Sequence, residues 1–176
     1  MTPHSLAMAS EIRRIIVQGT GLAPEPKGII NKKGSGNIAF NGALTNYAKL
    51  IKTLRGITTA NAGPISTIVM HLHDYGTLAG LTATHNQPLL MPPALNGISM
   101  LQTSALQIDG GSDNNRSNIV VGNFIHCLIG IRHDLWIEVL RRRYAETHRF
   151  DFVAGKRFDV GLSHADAFHK ISGIAL

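Results

Sequence analysis

The chain of 176 residues has one cysteine, little charge and few aromatic side chains, and each scarcity closes off a class of protein. A lone Cys127 forbids an internal disulfide and fits a reducing compartment. Charged residues make up only 16% against 44% hydrophobic, which is a globular composition and not a disordered one. No apolar run approaches the roughly 20 residues that a membrane helix needs. The opening Met1-Thr2-Pro3-His4 begins no basic segment followed by an apolar core, so no secretory signal is visible. These absences predict a soluble, cytoplasmic protein with no membrane partner. There is no internal repeat and no low-complexity tract. Glycine, by contrast, occurs 18 times, which predicts many turns and an irregular α+β fold. The length supports one domain, or two small lobes, with a substantial core. A formal net charge of +6 raises the question of nucleic acid.

The most organised stretch is 119–163. It holds two strand-like runs, 133–143 and 149–163, separated by a few residues. In the first, Leu135, Ile137 and Val139 alternate with Asp134, Trp136, Glu138 and Leu140. In the second, Phe150, Phe152, Ala154, Phe158, Val160 and Leu162 share one parity, with Lys156 the exception. Arg149, Asp151, Arg157 and Asp159 fill the other parity. Successive side chains in a strand alternate faces, so each run reads as a strand with one buried side. A one-residue slip would turn that side to water, which selects one parity of pairing. Val139 opposite Phe152 and Ile137 opposite Ala154 join the apolar faces. The same register sets Asp134 opposite Arg157 and lays Trp136 over Gly155. At about 3.3 Å per residue the second strand would be roughly 45–50 Å long. A ribbon of that length overhangs a small core, and a lone hairpin is marginal in water, so it is expected to lean on something outside the chain.

The rest is shorter. Thr2-Pro3 reads as a helix start, and Leu6, Ala9, Ile12 and Ile16 mark a helical face that stops at Gly19. Residues 19–28 carry too much glycine and proline for helix or strand, and 29–42, with Lys32, Lys33, Gly34 and Gly36, reads as a continued loop. Leu44, Tyr47, Ala48, Ile51 and Leu54 fall at helical spacing, with Lys49 and Lys52 opposite and Gly56 as the stop. Short strands are expected at 66–70, 98–102 and 119–122. A helix over 74–81 should turn Leu78 and Leu81 inward, and 167–171 should close the chain as a strand. The organisation is therefore two-part: a compact α/β lobe over 29–125 and an elongated β part over 126–176, with residues 1–28 packed against the second.

Several groups invite a chemical reading. His71 and His73 are two apart, and Asp74 follows, a donor set for a metal-dependent hydrolase. The pair falls where a strand hands over to a helix, however, and Asp74 makes a good helix cap. His126 and Cys127 are neighbours, so a strand points them apart, and the apolar surroundings of Cys127 favour a buried structural thiol over a nucleophile. Gly19-Thr-Gly21 lacks the third glycine of a dinucleotide loop, and Gly34-Ser-Gly36 lacks the Gly-Lys-Ser/Thr of a phosphate loop. Arg141, Arg142, Arg143 and Arg149 concentrate charge at the hairpin tip. Alternation splits them between two faces, and no aromatics interleave to stack bases. They suit ion pairs with a neighbouring subunit, and secondarily the DNA backbone of a basic nucleic-acid-binding module. The histidines at 85, 133, 148, 164 and 169 read as solvated or capping. No catalytic constellation, cofactor site or small-molecule substrate emerges.

The order of phrases resembles the major capsid proteins of tailed phages of the HK97 type. The turn Gly19-Thr-Gly-Leu-Ala-Pro-Glu-Pro-Lys-Gly-Ile29, the segment Ile68-Val-Met-His-Leu-His-Asp-Tyr-Gly-Thr-Leu-Ala-Gly-Leu81 and the connection Gln87-Pro-Leu-Leu-Met-Pro-Pro-Ala-Leu-Asn-Gly-Ile98 follow that family's sequence of features. So do Ile119-Val-Val-Gly-Asn-Phe124, Leu128-Ile-Gly-Ile-Arg-His-Asp-Leu-Trp-Ile-Glu-Val139 and Phe158-Asp-Val-Gly-Leu-Ser-His-Ala-Asp-Ala-Phe168. The resemblance implies an α+β HK97-type fold, in which 29–125 is the axial domain around which hexamers and pentamers form. The hairpin over 133–163 would belong to the peripheral domain, with Arg141, Arg142, Arg143, Tyr144, His148 and Arg149 near contacts between capsomers. It further implies a non-enzymatic, self-assembling head protein of a phage or prophage. Its partners would be copies of itself and, through non-specific charge, packaged DNA. Its place would be the virion, and the host cytoplasm before assembly. The family's N-terminal arm, extended loop and most of the spine helix have no counterpart before Gly19, so a truncated or partial subunit is expected.

Overall fold

The computed structural model describes residues 3–83, 86–111, 113–140 and 151–175. Three helices, α1 (Pro3–Gln18), α2 (Ala48–Thr59) and α3 (Leu72–Ala79), accompany seven strands. The strands are β1 (Gly36–Ala43), β2 (Thr67–His71), β3 (Ser99–Thr103), β4 (Arg116–Gly122), β5 (Cys127–Leu140), β6 (Asp151–Leu162) and β7 (Phe168–Ala175). Five form one sheet in the order β1-β7-β4-β2-β3, and β5 with β6 forms a separate two-stranded ribbon.

The sheet is mixed. β1 runs parallel to β7 and β2 parallel to β3, while β4 is antiparallel to both β7 and β2. Ile68–Met70 of β2 and Ile119–Val121 of β4 are continuous apolar runs, as strands covered on both faces require. Ile68 and Met70 of β2, Ile119 and Val121 of β4, and Ile171 of β7 have no exposed surface. Around them pack Ile29, Leu50, Ile57, Leu95 and Phe168.

α1 ends where expected, and the bend after it is fixed by backbone contact. The Gly28 amide donates to the Gly19 carbonyl at 2.9 Å. A Cβ on Gly19 would sit 2.6 Å from the Ile15 carbonyl oxygen, and one on Gly28 would sit 2.7 Å from that of Val17. Neither position admits a side chain. Asn31 adds donors to the Gln18 and Gly19 carbonyls at 3.1 and 2.9 Å, closing the helix end. Arg14 ties the bend to the helix by reaching both Glu11 and Glu25 at 2.7 Å. α1 lies against the turn at Ile29–Asn31 and shares an apolar groove of about 250 Å³ with Val69, Leu101 and Phe124.

Four expectations need correction. Residues 29–42 are not all loop: Ile29–Asn31 is a 3-10 turn and β1 follows it. Gly36 and Gly42 disguise the alternation of Ile38 and Phe40, and the strand exists because distant β7 pairs with it. α2 begins later than expected, passes through Gly56 and buries Leu50, Thr53 and Ile57, leaving Ile51 exposed. Glycine is accepted inside this helix because the His169 ring lies where its side chain would be, with the ring Cε1 2.7 Å from the missing Cβ. α3 is capped by His71, whose Nδ1 accepts the His73 amide at 3.1 Å, and not by Asp74. Finally, β7 lies in the five-stranded sheet between β1 and β4, so that strand does not travel with the ribbon as the 126–176 grouping supposed.

Candidate assembly arm

The ribbon is the least covered part of the molecule. At about 3.3 Å per residue, β5 and β6 extend roughly 40–46 Å. Its root is anchored. Val160 is fully buried, and Phe158, Leu162 and Cys127 pack partly against the core. The Ser163 amide donates to the His126 carbonyl at 3.0 Å and holds the two chain crossings together. Beyond the root, nearly every described residue of β5 is exposed. The expectation of one buried side is therefore not met among the described residues: the apolar face exists, but none of them covers it.

The outer half pairs as expected, with Val139 opposite Phe152, Ile137 opposite Ala154 and Trp136 opposite Gly155. The indole lies so close over Gly155 that a Cβ there would sit 2.7 Å from its Cε2. Nearer the root the register differs. Arg157 faces His133, not Asp134, because β5 bulges between Ile131 and His133 and again between His133 and Trp136. Ile129 faces Val160 and Ile131 faces Phe158, so seven residues of β5 from Ile131 to Ile137 match five of β6 from Phe158 to Ala154. Each bulge adds one residue and would exchange the faces; two together restore them. Ile129, Ile131, Ile137, Val139 and Phe152 consequently form one apolar face along both halves, and Ile137 and Phe152 are 64% and 71% exposed. Asp134, freed by the bulge, reaches Lys156 at 3.2 Å and accepts the Leu135 amide at 2.8 Å. That amide, and then Lys156, hold its carboxyl below the usual aspartate range. Lys156 thus interrupts the apolar parity of β6 with its own counter-ion beside it.

The sequence began the first strand at residue 133 and so missed Leu128, Ile129 and Ile131. The alternation of Ile129 and Ile131 with Gly130 was the available signal. The expected contact residues Arg141, Arg142, Arg143, Tyr144, His148 and Arg149 lie outside the described residues, as does His85.

The other chemical candidates resolve into structural roles. His71 uses its Nδ1 to cap α3, and Asp74 points inward to accept the Ser117 hydroxyl at 2.8 Å. Burial pushes the Asp74 carboxyl up, against the hydrogen bond from Ser117. The two histidines and the carboxylate do not converge, and among the described residues no three such side chains could hold a metal. Burial also pushes the Cys127 thiol up, which removes the thiolate a nucleophile needs. His164 meets His126 edge-on with centroids 5.6 Å apart. His169 is neither solvated nor capping: its ring fills the space between Gly36 and Gly56, and its Nδ1 is buried without a partner. No sequence pattern announces it, since the two glycines it fills are 20 residues apart.

The phage capsid family model matches residues 5–173. The chain belongs to the phage capsid family. Solved structures agree on the fold. The capsid of an empty GTA particle superposes with a TM-score of 0.68 at 19% identity, over 98% of this chain and 64% of that one. A chain of Gordonia phage Cozz gives 0.71 at 12% identity, over 98% and 61%. The virus-like particle from Pyrococcus furiosus gives 0.64 at 11%, over 94% and 64%. This capsid-family chain therefore spans less than two thirds of the length of those proteins. No curated protein matches it in sequence. The α+β HK97-type fold that the resemblance implied is the fold observed.

Proposed function

We propose that the chain is a self-associating structural subunit of a phage head and that the β5–β6 ribbon is its contact arm. The observation that carries this reading is the ribbon's continuous apolar face, uncovered from Ile129 to Phe152. A surface of that kind on a capsid-family chain fits contact with sister copies. The body formed by the five-stranded sheet would be the axial unit of a hexamer or pentamer. The ribbon would reach outward, with 141–149 at its tip meeting the next capsomer through arginine ion pairs. On this reading the peripheral unit comprises residues up to 28 and the ribbon, and the axial unit keeps 29–125 together with β7. The subunit would catalyse nothing, would wait in the host cytoplasm and would end in the shell, close to packaged DNA.

Sedimentation of the purified chain tests it. Species of five or six copies, or larger closed particles, are expected at micromolar concentration, and the paired change Ile137→Lys with Phe152→Lys should shift them to monomer. A wild-type chain that stays monomeric at about 100 μM, where even a weak contact shows, would sink the proposal.

A further inference from the structure

Charge is spread very unevenly along this chain. Residues 26–73 contain six basic side chains, Lys27, Lys32, Lys33, Lys49, Lys52 and Arg55, and no aspartate or glutamate. Of the 17 lysines and arginines this leaves 11 elsewhere, balanced by all 11 acids, so the whole formal charge of +6 resides in that stretch.

The fold gathers most of it. α2 turns Leu50, Thr53 and Ile57 to the sheet, which leaves Lys49, Lys52 and Arg55, three apart, along its outer side. The Lys49 ammonium lies 5.5 Å from the Phe40 ring centroid, over β1. The His169 ring fills the space beside both Gly36 and Gly56, so the start of β1 and the second half of α2 are neighbours across one imidazole. Lys32 and Lys33, in the turn just before β1, are thereby brought toward the same end of α2. Among the described residues, none of the six has a carboxylate partner. Asp166 acts through its charge on His169.

Like charges three apart on a helix weaken it by a few tenths of a kcal/mol per pair, so stability does not explain this row. Its other exposed neighbours are uncharged: Thr45 and Asn46 before the helix, and Ala48, Ile51, Thr58 and Thr59 in it. We propose that the outer side of α2, with Lys49, Lys52 and Arg55 extended by Lys32 and Lys33, docks the phosphate backbone of duplex DNA. The chemistry favours that partner over others. No exposed aromatic accompanies the row, so there is nothing on which unpaired bases would stack. A helix lying in a lipid surface needs a broad outward apolar face, and α2 offers only Ala48 and Ile51 outward while Leu50 and Ile57 turn to the sheet. Ammonium and guanidinium groups with no internal partner match a backbone that carries one charge per roughly 1.7 Å of duplex axis, and would read it without regard to sequence. In a head subunit this side would face packaged DNA, though the docking itself needs no assembly.

Fluorescence anisotropy of a labelled mixed-sequence 20-base-pair duplex, titrated with the full chain between 50 and 200 mM NaCl, tests the proposal. Binding should weaken with salt at a log–log slope of about −0.9 per phosphate contact. The variant Lys49→Gln, Lys52→Gln, Arg55→Gln should flatten that slope by about 2.7, and weaken binding tens of fold at the low-salt end. The charge-keeping variant Lys49→Arg, Lys52→Arg, Arg55→Lys should retain it, which separates lost charge from a lost helix. The proposal fails if wild type does not bind at 50 mM salt. It fails equally if Arg141→Gln, Arg142→Gln, Arg143→Gln removes the slope while the α2 variant keeps it. Binding to phosphatidylserine vesicles but not to the duplex would also overturn it.

Discussion

The five-stranded sheet and the two-stranded ribbon draw on the same residue types and end in opposite surroundings. Ile119, Val120 and Val121 of β4 retain at most 1% of their surface, whereas Ile131 and Ile137 of β5 keep more than half. In the sheet, β7 and β2 flank β4 and the surrounding loops and helices supply the cover. In the ribbon, β6 supplies one edge and none of the described residues covers the outer face. Apolar periodicity reports that a strand wants a partner surface; it does not report which chain provides it. An apolar face left open to water is a surface that favours contact with another apolar surface.

That contrast can be broken at either end. The largest effect belongs to the body. Phe168, 1% exposed and edge-on to Phe124 at 5.3 Å, should cost about 3–5 kcal/mol when changed to alanine, measured by urea unfolding. A loss below about 1 kcal/mol would mean that the sheet is not the cohesive unit.

The second effect is acid sensitivity, and it also belongs to the body. Burial pushes the His169 imidazole below its ordinary value of 6.5, against a smaller upward pull from Asp166. The unfolded chain therefore takes the proton first. Stability is full above pH 6.5 and falls as the pH drops from there through the lower value of the folded state. His169→Gln should flatten that part of the stability–pH curve, whatever it does to stability at pH 8. An unchanged acid slope in the variant would remove His169 as its source.

The smallest effect is the one that distinguishes the ribbon. Phe152→Ala removes a larger apolar group than most core substitutions do. In the dissociated chain it should nevertheless alter unfolding by no more than about 0.5 kcal/mol, since the ring is 71% exposed. Unfolding at a concentration low enough to prevent association is the measurement. A loss of several kcal/mol would show that the ribbon's face is covered from within after all.

Much of the ribbon was legible in the sequence because its order is local: alternation on two nearby runs sets Val139 against Phe152 and Trp136 against Gly155. What failed was the assumption of a regular ladder, which placed Asp134 on Arg157. Bulges leave no mark in composition, and only Lys156 on an apolar parity hinted that a carboxylate had been turned toward it. β1 and His169 were missed for a different reason. Both depend on strands or glycines far away in the chain, and glycine says nothing about which ring will occupy the room it leaves. The α2 face was misjudged because Ile51 and Leu50 are neighbours, and propensity cannot say which of them turns to the sheet.

The paired bulges in β5 give the arm slack in its sequence. The two extra residues near His133 lie opposite an unbroken β6, so loss of either one would straighten the ladder there and leave Ile137 opposite Ala154 and Val139 opposite Phe152. The greasy surface would keep its place, and the reach of the arm is set by β6, which carries no surplus residue.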